Sequence, residues 1–232
     1  TGGTVTDHGK AYNFDVKAKA EVSGKSVDYQ QGTLTNAADF TMTGETVTIG
    51  EDVAIANTGV LRLAATASSD PTVTLNAAYD ATDVANSGGK LIITGAAVLG
   101  ADVTAKSIKI GAVNADLTKE TSDVILTNGG KIEAGKTVDT DALTFADKNG
   151  ELTVNGTLVS DKTIVAASGA QLTVATTEIK TPATASLGAV VVETAATDAD
   201  VHTFTLTNNT DAAVTATSLT VNPDVAEDKT NK

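Results

Sequence analysis

Short pairs of apolar residues, with one polar residue inside each pair and turn-forming residues between pairs, recur along this 232-residue chain. The series runs from Leu34 to Val174. Its pairs stand roughly five to ten residues apart, which leaves room for one strand and one turn. An alternation of period two places the apolar side chains on one face of a strand. The sequence therefore predicts an all-β fold of serial strands with almost no helix.

Three segments of the series can be superimposed on one another, namely Gly89–Gly95, Ser122–Asn128 and Gly150–Gly156. Their repeat period drifts between about 20 and 35 residues, as in a β-solenoid with turns of variable length. With no Trp and four Phe, the core must consist mainly of Ala, Val, Leu and Ile. Small side chains suit thin, repeated layers, so we expect coils of two or three strands stacked on one another.

An antiparallel arrangement competes with the solenoid. The dipeptides Asn128-Gly129, Asn149-Gly150 and Asn155-Gly156 are typical of two-residue hairpin turns. In particular, Leu143–Phe145 and Leu152–Val154 flank one of these turns as the two arms of a hairpin would. The sequence favours the solenoid and leaves a sandwich or hairpin array as the alternative.

The composition changes twice along the chain and predicts three regions. Residues 1–31 form an N-terminal strand segment, in which Tyr12 to Val22 alternate between apolar and polar residues. Residues 32–180 form the repetitive β domain. Residues 181–232, which begin next to Pro182, form a C-terminal module of β-strands that ends in a charged, frayed tail. We expect this module to be sandwich-like.

The charge of the chain excludes several classes of partner. The formal net charge is −13, with 16 basic residues, and Arg62 is the only arginine. Nucleic-acid binding needs a basic stripe that releases counterions from phosphates, so no nucleic acid is expected as a partner. The longest apolar runs fall short of the about 18 residues that a membrane span requires, so we expect no membrane insertion. Because the sequence starts at Thr1, we expect a processed chain or a fragment.

Paired carboxylates are the candidate metal ligands. The pairs that stand two residues apart are Asp139 with Asp141 and Asp198 with Asp200, and two closer or wider pairs are Glu51 with Asp52 and Asp80 with Asp83. Residues two apart on a strand share one face, and calcium prefers such oxygen ligands. Solvated acidic turns are the simpler interpretation. No cofactor other than calcium is predicted, and there is no cysteine to ligate a metal.

An enzymatic function is not expected. His8 and His202 are the only histidines, and neither stands in a motif with a nucleophile or an acid–base partner. Polysaccharide lyases are enzymes on parallel β-helices, but they use aromatic platforms for sugars and basic residues in the site. Three Tyr, no Trp and one Arg argue against that class. Arg62, on a predicted strand, is expected to pair with a neighbouring carboxylate.

Residues 32–180 resemble bacterial extracellular β-rich surface proteins, such as adhesin or autotransporter passengers and S-layer or filament subunits. The shared features are runs such as Gly150-Glu-Leu-Thr-Val-Asn-Gly156, richness in Thr, Ala and Asp, scarcity of Arg and lack of Cys. The C-terminal run Phe204–Val221 is similar to the strand-turn-strand core of bacterial immunoglobulin-like surface modules. The resemblance implies an extracellular or cell-surface location, a structural or adhesive role, and no cofactor beyond calcium.

These observations favour a secreted subunit that self-assembles into a surface filament or S-layer, with copies of itself as partners. The strand Tyr12–Val22 could pair with the sheet edge of a neighbouring copy, or within its own chain. The alternative function is an adhesin or receptor-binding module from a longer passenger or a phage fibre, with a host or polysaccharide ligand. The loop that holds Tyr79 is the place where an exposed binding patch is expected.

Overall fold

The computed structural model describes residues 5–6, 12–111, 120–147, 150–167, 169–176, 182–193, 203–209 and 212–222. These residues form 23 strands and a single 3₁₀ turn, Val84–Asn86. The predicted all-β fold is confirmed. The strands succeed one another around a coil with three strand segments, and segments at the same position in successive coils form one face.

The bounds of the strands follow, face by face. The first face contains β1 (Val5–Thr6), the first part of β4 (Ser26–Asn36), the first part of β6 (Thr46–Asn57), β8 (Thr72–Leu75), β11 (Ala96–Leu99), β14 (Gly130–Ile132), β16 (Glu151–Val154), β18 (Ala170–Val174) and β21 (Phe204–Asn208). The second face contains β2 (Tyr12–Val16), the second parts of β4 and β6, β9 (Tyr79–Asp80), the first parts of β12 (Val103–Ile110), β15 (Thr137–Phe145) and β17 (Thr157–Val165), β19 (Thr184–Ser186) and β22 (Ala213–Thr215). The third face contains β3 (Ala20–Ser23), β5 (Asp39–Gly44), β7 (Val60–Ala65), β10 (Lys90–Thr94), β13 (Val124–Leu126), the second parts of β12, β15 and β17, β20 (Ala189–Glu193) and β23 (Ser218–Asn222).

Long strands run across a corner and belong to two faces. In β4 the register shifts between Tyr29 and Gln31, and the two parts of the strand pair separately with β1 and β2. In β17 the first part pairs with β19 and the second part with β20. Corner hydroxyls are satisfied locally, since Thr140 Oγ1 donates to the carbonyl of Ala142 at 3.0 Å and Ser160 Oγ to that of Lys162 at 2.7 Å.

Every strand pair in the described residues is parallel, which establishes a solenoid and excludes the hairpin alternative there. Leu143–Phe145 in β15 pairs with β12 and β17, whereas Leu152–Val154 in β16 pairs with β14 and β18. The two segments therefore lie on different faces. The chain turns a corner between them and does not form a hairpin. Each of the two strands pairs with strands of the coil before it and of the coil after it.

The drifting repeat corresponds to the variable length of the coils. Ser26 pairs with Thr46, an offset of 20 residues, and Ala170 pairs with Phe204, an offset of 34 residues. Two of the three superimposed segments are true neighbours, since Leu91 pairs with Val124 in the alignment that the sequence gives. The third segment, Gly150–Gly156, contains β16 on the first face.

The core is one continuous stack of inward-facing aliphatic residues. Columns of Leu, Ile and Val run through all three faces, and Leu172, Ile93 and Leu143 are fully buried members of them. Aromatic rings contact one another towards both ends of the solenoid. Phe14 packs edge-on against Tyr29 with ring centroids 5.1 Å apart, and Phe145 lies 5.4 Å from Phe204.

The ladders cross both predicted boundaries. In the N-terminal segment, β2 pairs with β4 and β3 pairs with β5, so the alternation from Tyr12 to Val22 covers two strands around a corner, paired within their own chain on one edge. At the other end, β21, β22 and β23 pair in parallel with β18, β19 and β20. The sandwich-like C-terminal part was therefore a wrong prediction for residues 203–209 and 212–222, whose strands extend the same solenoid because their inward residues continue its columns.

Candidate functional site

The second face is interrupted at one position along the solenoid. The second part of β6 pairs with β4, but among the described residues no strand pairs with its other edge. The next strand of that face, β9, pairs with β12 instead. On the third face the opposite change occurs, since β13 lies between β10 and β12, out of chain order. The second face therefore has an unpaired strand edge near the level at which the third face has an additional strand.

The segment between β9 and β10 covers only one end of the gap. Its 3₁₀ turn begins after Asp83, whose side chain accepts a hydrogen bond from Ala85 N at 2.8 Å. Asn86, at the end of the turn, is buried and its Oδ1 accepts from the backbone N–H of Asn57 at 2.7 Å. On the N-terminal side of Asn57, the edge of β6 faces an open groove.

The groove has a volume of about 400 Å³ and contains both apolar and acidic groups. Val53 and Ile55 of β6 line it, together with the carboxylates of Glu51, Asp80 and Asp102. Ile55 faces inward in register with Leu34, yet it is only half-buried, whereas Leu34 is 0% exposed. The core is therefore accessible here, in the middle of the solenoid.

In addition to Asp83, hydrogen bonds fix two further carboxylates at the rim. Asp80 Oδ1 accepts from Thr82 N at 2.8 Å and from Thr82 Oγ1 at 2.6 Å, and these bonds lower the pKa of Asp80. Asp102 Oδ1 accepts from Thr137 N at 2.8 Å. With Glu51 and Asp83, the rim carries four carboxylates and gives the groove a negative potential at neutral pH.

Replacing Thr82 by Val is expected to raise the pKa of Asp80 towards its ordinary value, because the hydroxyl donor is the first cause of the shift. Because the pKa of Asp80 is lower in the folded protein, its ionised form stabilises the fold at pH values above its ordinary pKa of 3.8. This contribution is lost as the pH falls through the lower pKa of the folded state. A carboxyl-carbon NMR titration of both proteins measures the change. An unchanged Asp80 titration would show that the Thr82 hydroxyl has no such role.

A buried polar network lies directly behind the groove. Asn36 Nδ2 donates to Asn57 Oδ1 at 2.8 Å, and Asn57 Nδ2 donates to Tyr79 Oη at 3.2 Å and to the carbonyl of Lys90 at 3.0 Å. Burial raises the pKa of Tyr79, with the Asn57 hydrogen bond acting against it, so the phenol stays neutral at physiological pH. Tyr79 is 1% exposed, so its ring is part of the core.

Two of the four residues predicted as calcium ligands lie in the described part of the chain. Asp139 and Asp141 are exposed on β15, and Asp141 lies at the corner before the third face. No group of three or more His, Cys, Asp or Glu that could hold a metal ion occurs among the described residues. Asp198 and Asp200 lie outside them, as do His8 and His202.

The prediction for the single arginine is confirmed. Arg62 Nε donates to Asp39 Oδ1 at 3.0 Å across the β5–β7 pair. A more deeply buried ion pair joins Lys109 Nζ to Glu120 Oε1 at 3.0 Å, and Lys90 Nζ donates to the Glu120 carbonyl. These contacts attach the segment before β13 to the third face, so they stabilise the inserted rung.

A second opening lies at the C-terminal end of the described solenoid. Leu206, Leu219 and Val221 continue the inward columns of Leu172, Val190 and Val192, in that order. The three residues of the last coil are nevertheless 44%, 69% and 57% exposed. They line an apolar cavity of about 550 Å³.

No family model, curated protein or solved structure matches this chain at a significant level. Among the described residues, no helix has the length and apolar character needed to cross a membrane. The assignment of a function therefore depends on the geometry of the groove and of the two ends.

The sequence did not predict the groove. Its one signal was the looser stretch between Leu75 and Lys90, where the regular pairing of apolar residues lapses. The loop that holds Tyr79 was the expected binding region, and its residues Asp80, Asp83, Ala85 and Asn86 line the groove, although the Tyr79 ring is buried.

Proposed function

We propose that this protein is a non-enzymatic, extracellular structural subunit that self-assembles into a surface filament or S-layer, with copies of itself as partners. Assembly occurs between the two ends of the solenoid. The exposed apolar residues of the last coil carry this proposal, because a large apolar surface at the end of a stack is covered most simply by another coil.

The first described coil has an unpaired strand edge and half-buried apolar residues that the last described coil of another copy could cover. β2 and β3 use one edge to pair with β4 and β5, and no described strand pairs with the other edge. Phe14 and Val22 face inward on this coil and are half-buried, in register with the fully buried Leu34 and Met42. Because parallel stacking has a direction, its continuation from one copy to the next joins the last described coil of one copy to the first described coil of another.

The composition supports the extracellular part of the proposal. The net charge of −13 keeps laterally placed subunits apart in solution, and a chain without Cys has no thiol that an oxidising environment would convert to a disulfide. Groups that most enzymes need are scarce, since the chain has two His, one Arg and no Cys.

Replacing both Leu219 and Val221 by Lys is expected to weaken self-association by about tenfold or more, because each lysine charge would lose its hydration when the coils stack. Sedimentation velocity over a range of protein concentrations gives the association constant. The control is Val84→Lys, which makes the same change at a residue that is 87% exposed and outside both ends.

Negative-stain microscopy completes the test, with and without calcium. Fibres or sheets from the wild-type chain and from the Val84→Lys variant, but not from the double variant, are the expected result. A wild-type chain that stays monomeric at about millimolar concentration, where even weak assemblies form, would refute self-assembly.

The open groove on the second face favours the second candidate function, an adhesin or receptor-binding module. An unpaired strand edge beside accessible core residues can hold an extended segment of another protein. A chain that remains monomeric and binds a ligand in the groove would support this function in place of assembly.

A further inference from the structure

The free edge of β6 in the groove carries backbone groups that a strand would normally pair. In a strand, the N–H and C=O of successive residues point to alternate sides, and in a parallel ladder both groups of one residue point to the same neighbour. Asn57 N donates to Asn86 on the side of the groove, whereas Thr58 N donates to Asn36 on the side of β4. Alternation from Asn57 therefore places the N–H and C=O of Val53 and Ile55 towards the groove.

The described chain supplies no partner for these groups. The backbone hydrogen bonds of the segment that follows β9 are made within the segment, to β12 or to Gly59, just before β7, and none goes to Val53 or Ile55. Buried or half-buried backbone groups of this kind are normally paired with protein or water. The edge is therefore free to accept one short added strand.

The side chains around this edge determine which side chains the added strand must carry. On the inner side, the half-buried Ile55 and the buried Val53 offer apolar contact. On the outer side, Glu51, Asp80 and Asp102 line the rim, and the protein as a whole carries a net charge of −13. A strand with alternating apolar and basic residues presents one kind of side chain to each side.

We infer that the groove binds an extended peptide segment with alternating apolar and basic residues, which adds a short strand to the free edge of β6. The segment lies in the groove, along the part of β6 that pairs with β4 only. Its length is limited to a few residues, because the 3₁₀ turn Val84–Asn86 closes one end through Asn86. This inference does not depend on self-assembly, which uses the ends of the solenoid.

The test uses a fluorescent peptide, acetyl-Lys-Val-Lys-Val-Lys-amide, titrated with the full chain at low ionic strength. Saturable binding is expected, with several-fold weakening when the salt is raised from about 0.05 to 0.3 M. The same affinity is expected for the Leu219→Lys and Val221→Lys double variant, so a failure of assembly would leave this result unchanged.

Two peptides separate strand addition from simple charge attraction. N-methylation of either the Lys or the Val amides keeps the charge but removes the donors of one edge. One of the two methylated peptides is expected to lose binding. If both bind as well as the parent, or if acetyl-Glu-Val-Glu-Val-Glu-amide binds equally, the inference is overturned.

One substitution locates the site on the protein. Glu51→Lys is expected to weaken binding by about threefold or more, which is the scale of exposed charge pairs. Glu45→Lys is the matched control, because it makes the same change at an exposed residue that does not line the groove. Equal effects of the two substitutions, or no binding by the wild-type chain, would also overturn the inference.

Discussion

Replacing Asn57 by Ala is expected to destabilise the protein by about 3–5 kcal/mol, since buried groups that lose a hydrogen-bond partner cost about 1–3 kcal/mol each. Asn57 is 0% exposed, and its side chain joins Asn36, Tyr79 and the carbonyl of Lys90. The substitution removes all three hydrogen bonds and opens a cavity between the second and third faces. Urea denaturation followed by circular dichroism measures the loss.

The control for this prediction is Asn13→Ala, which removes one exposed hydrogen bond, from Thr33 N to Asn13 Oδ1 at 3.0 Å. It should cost about 1 kcal/mol or less. A double-mutant cycle of Asn57→Ala with Tyr79→Phe should show coupling between the two residues. Asn57→Ala leaves the Tyr79 hydroxyl without its hydrogen bond from Asn57, and Tyr79→Phe removes that hydroxyl. Equal losses for Asn57→Ala and Asn13→Ala would show that the buried network does not stabilise the fold.

Replacing Gly89 by Ala is expected to destabilise the protein by about 3 kcal/mol or more, because the added methyl group cannot be accommodated without a backbone shift. A Cβ atom at Gly89 would overlap the carbonyl group of Asn57. Gly89 lies immediately before β10, where the chain returns from the 3₁₀ turn to the third face, so a shift there disturbs the same network. Urea denaturation under the conditions used for Asn57 measures the effect.

The neighbouring Gly88 provides a matched comparison. Its φ is 77°, and a Cβ atom at this position would meet nothing within 4 Å. Gly88→Ala therefore introduces only backbone strain, which costs about 1–2 kcal/mol for a left-handed conformation. If Gly88→Ala is the more damaging of the two substitutions, steric contact with Asn57 is not the reason for glycine at position 89.

The asparagine network shows how little of the candidate site could be read from the sequence. Asn36, Asn57 and Asn86 look like ordinary turn residues in a chain with many of them. Their contact depends on which coil stacks on which, and Asn57 is 29 residues from Asn86. Propensity and spacing carry no information about such distant pairs.

The register of β10 and β13 is the opposite case. The superposition of Gly89–Gly95 on Ser122–Asn128 predicted that Leu91 and Val124 are equivalent, and the two residues are partners in the sheet. Similar strands stack well because their inward side chains have similar volumes. The position of β13 before β12 in the ladder was not predictable, since both strands offer the same apolar pattern to β10.

The sequence by itself determined the all-β class, the inward positions of the apolar pairs, and the drifting repeat, because these follow from local alternation and from turn residues. Only the tertiary structure decided that the strands are parallel, that β13 adds a rung to one face, and that the second face is left with an unpaired edge beside Ile55. The physical reason is that an alternating strand buries the same side chains in either direction and beside any similar neighbour. The choice among neighbours is made by loop lengths, corner contacts and the buried hydrogen bonds of Asn57, which act between residues far apart in the chain.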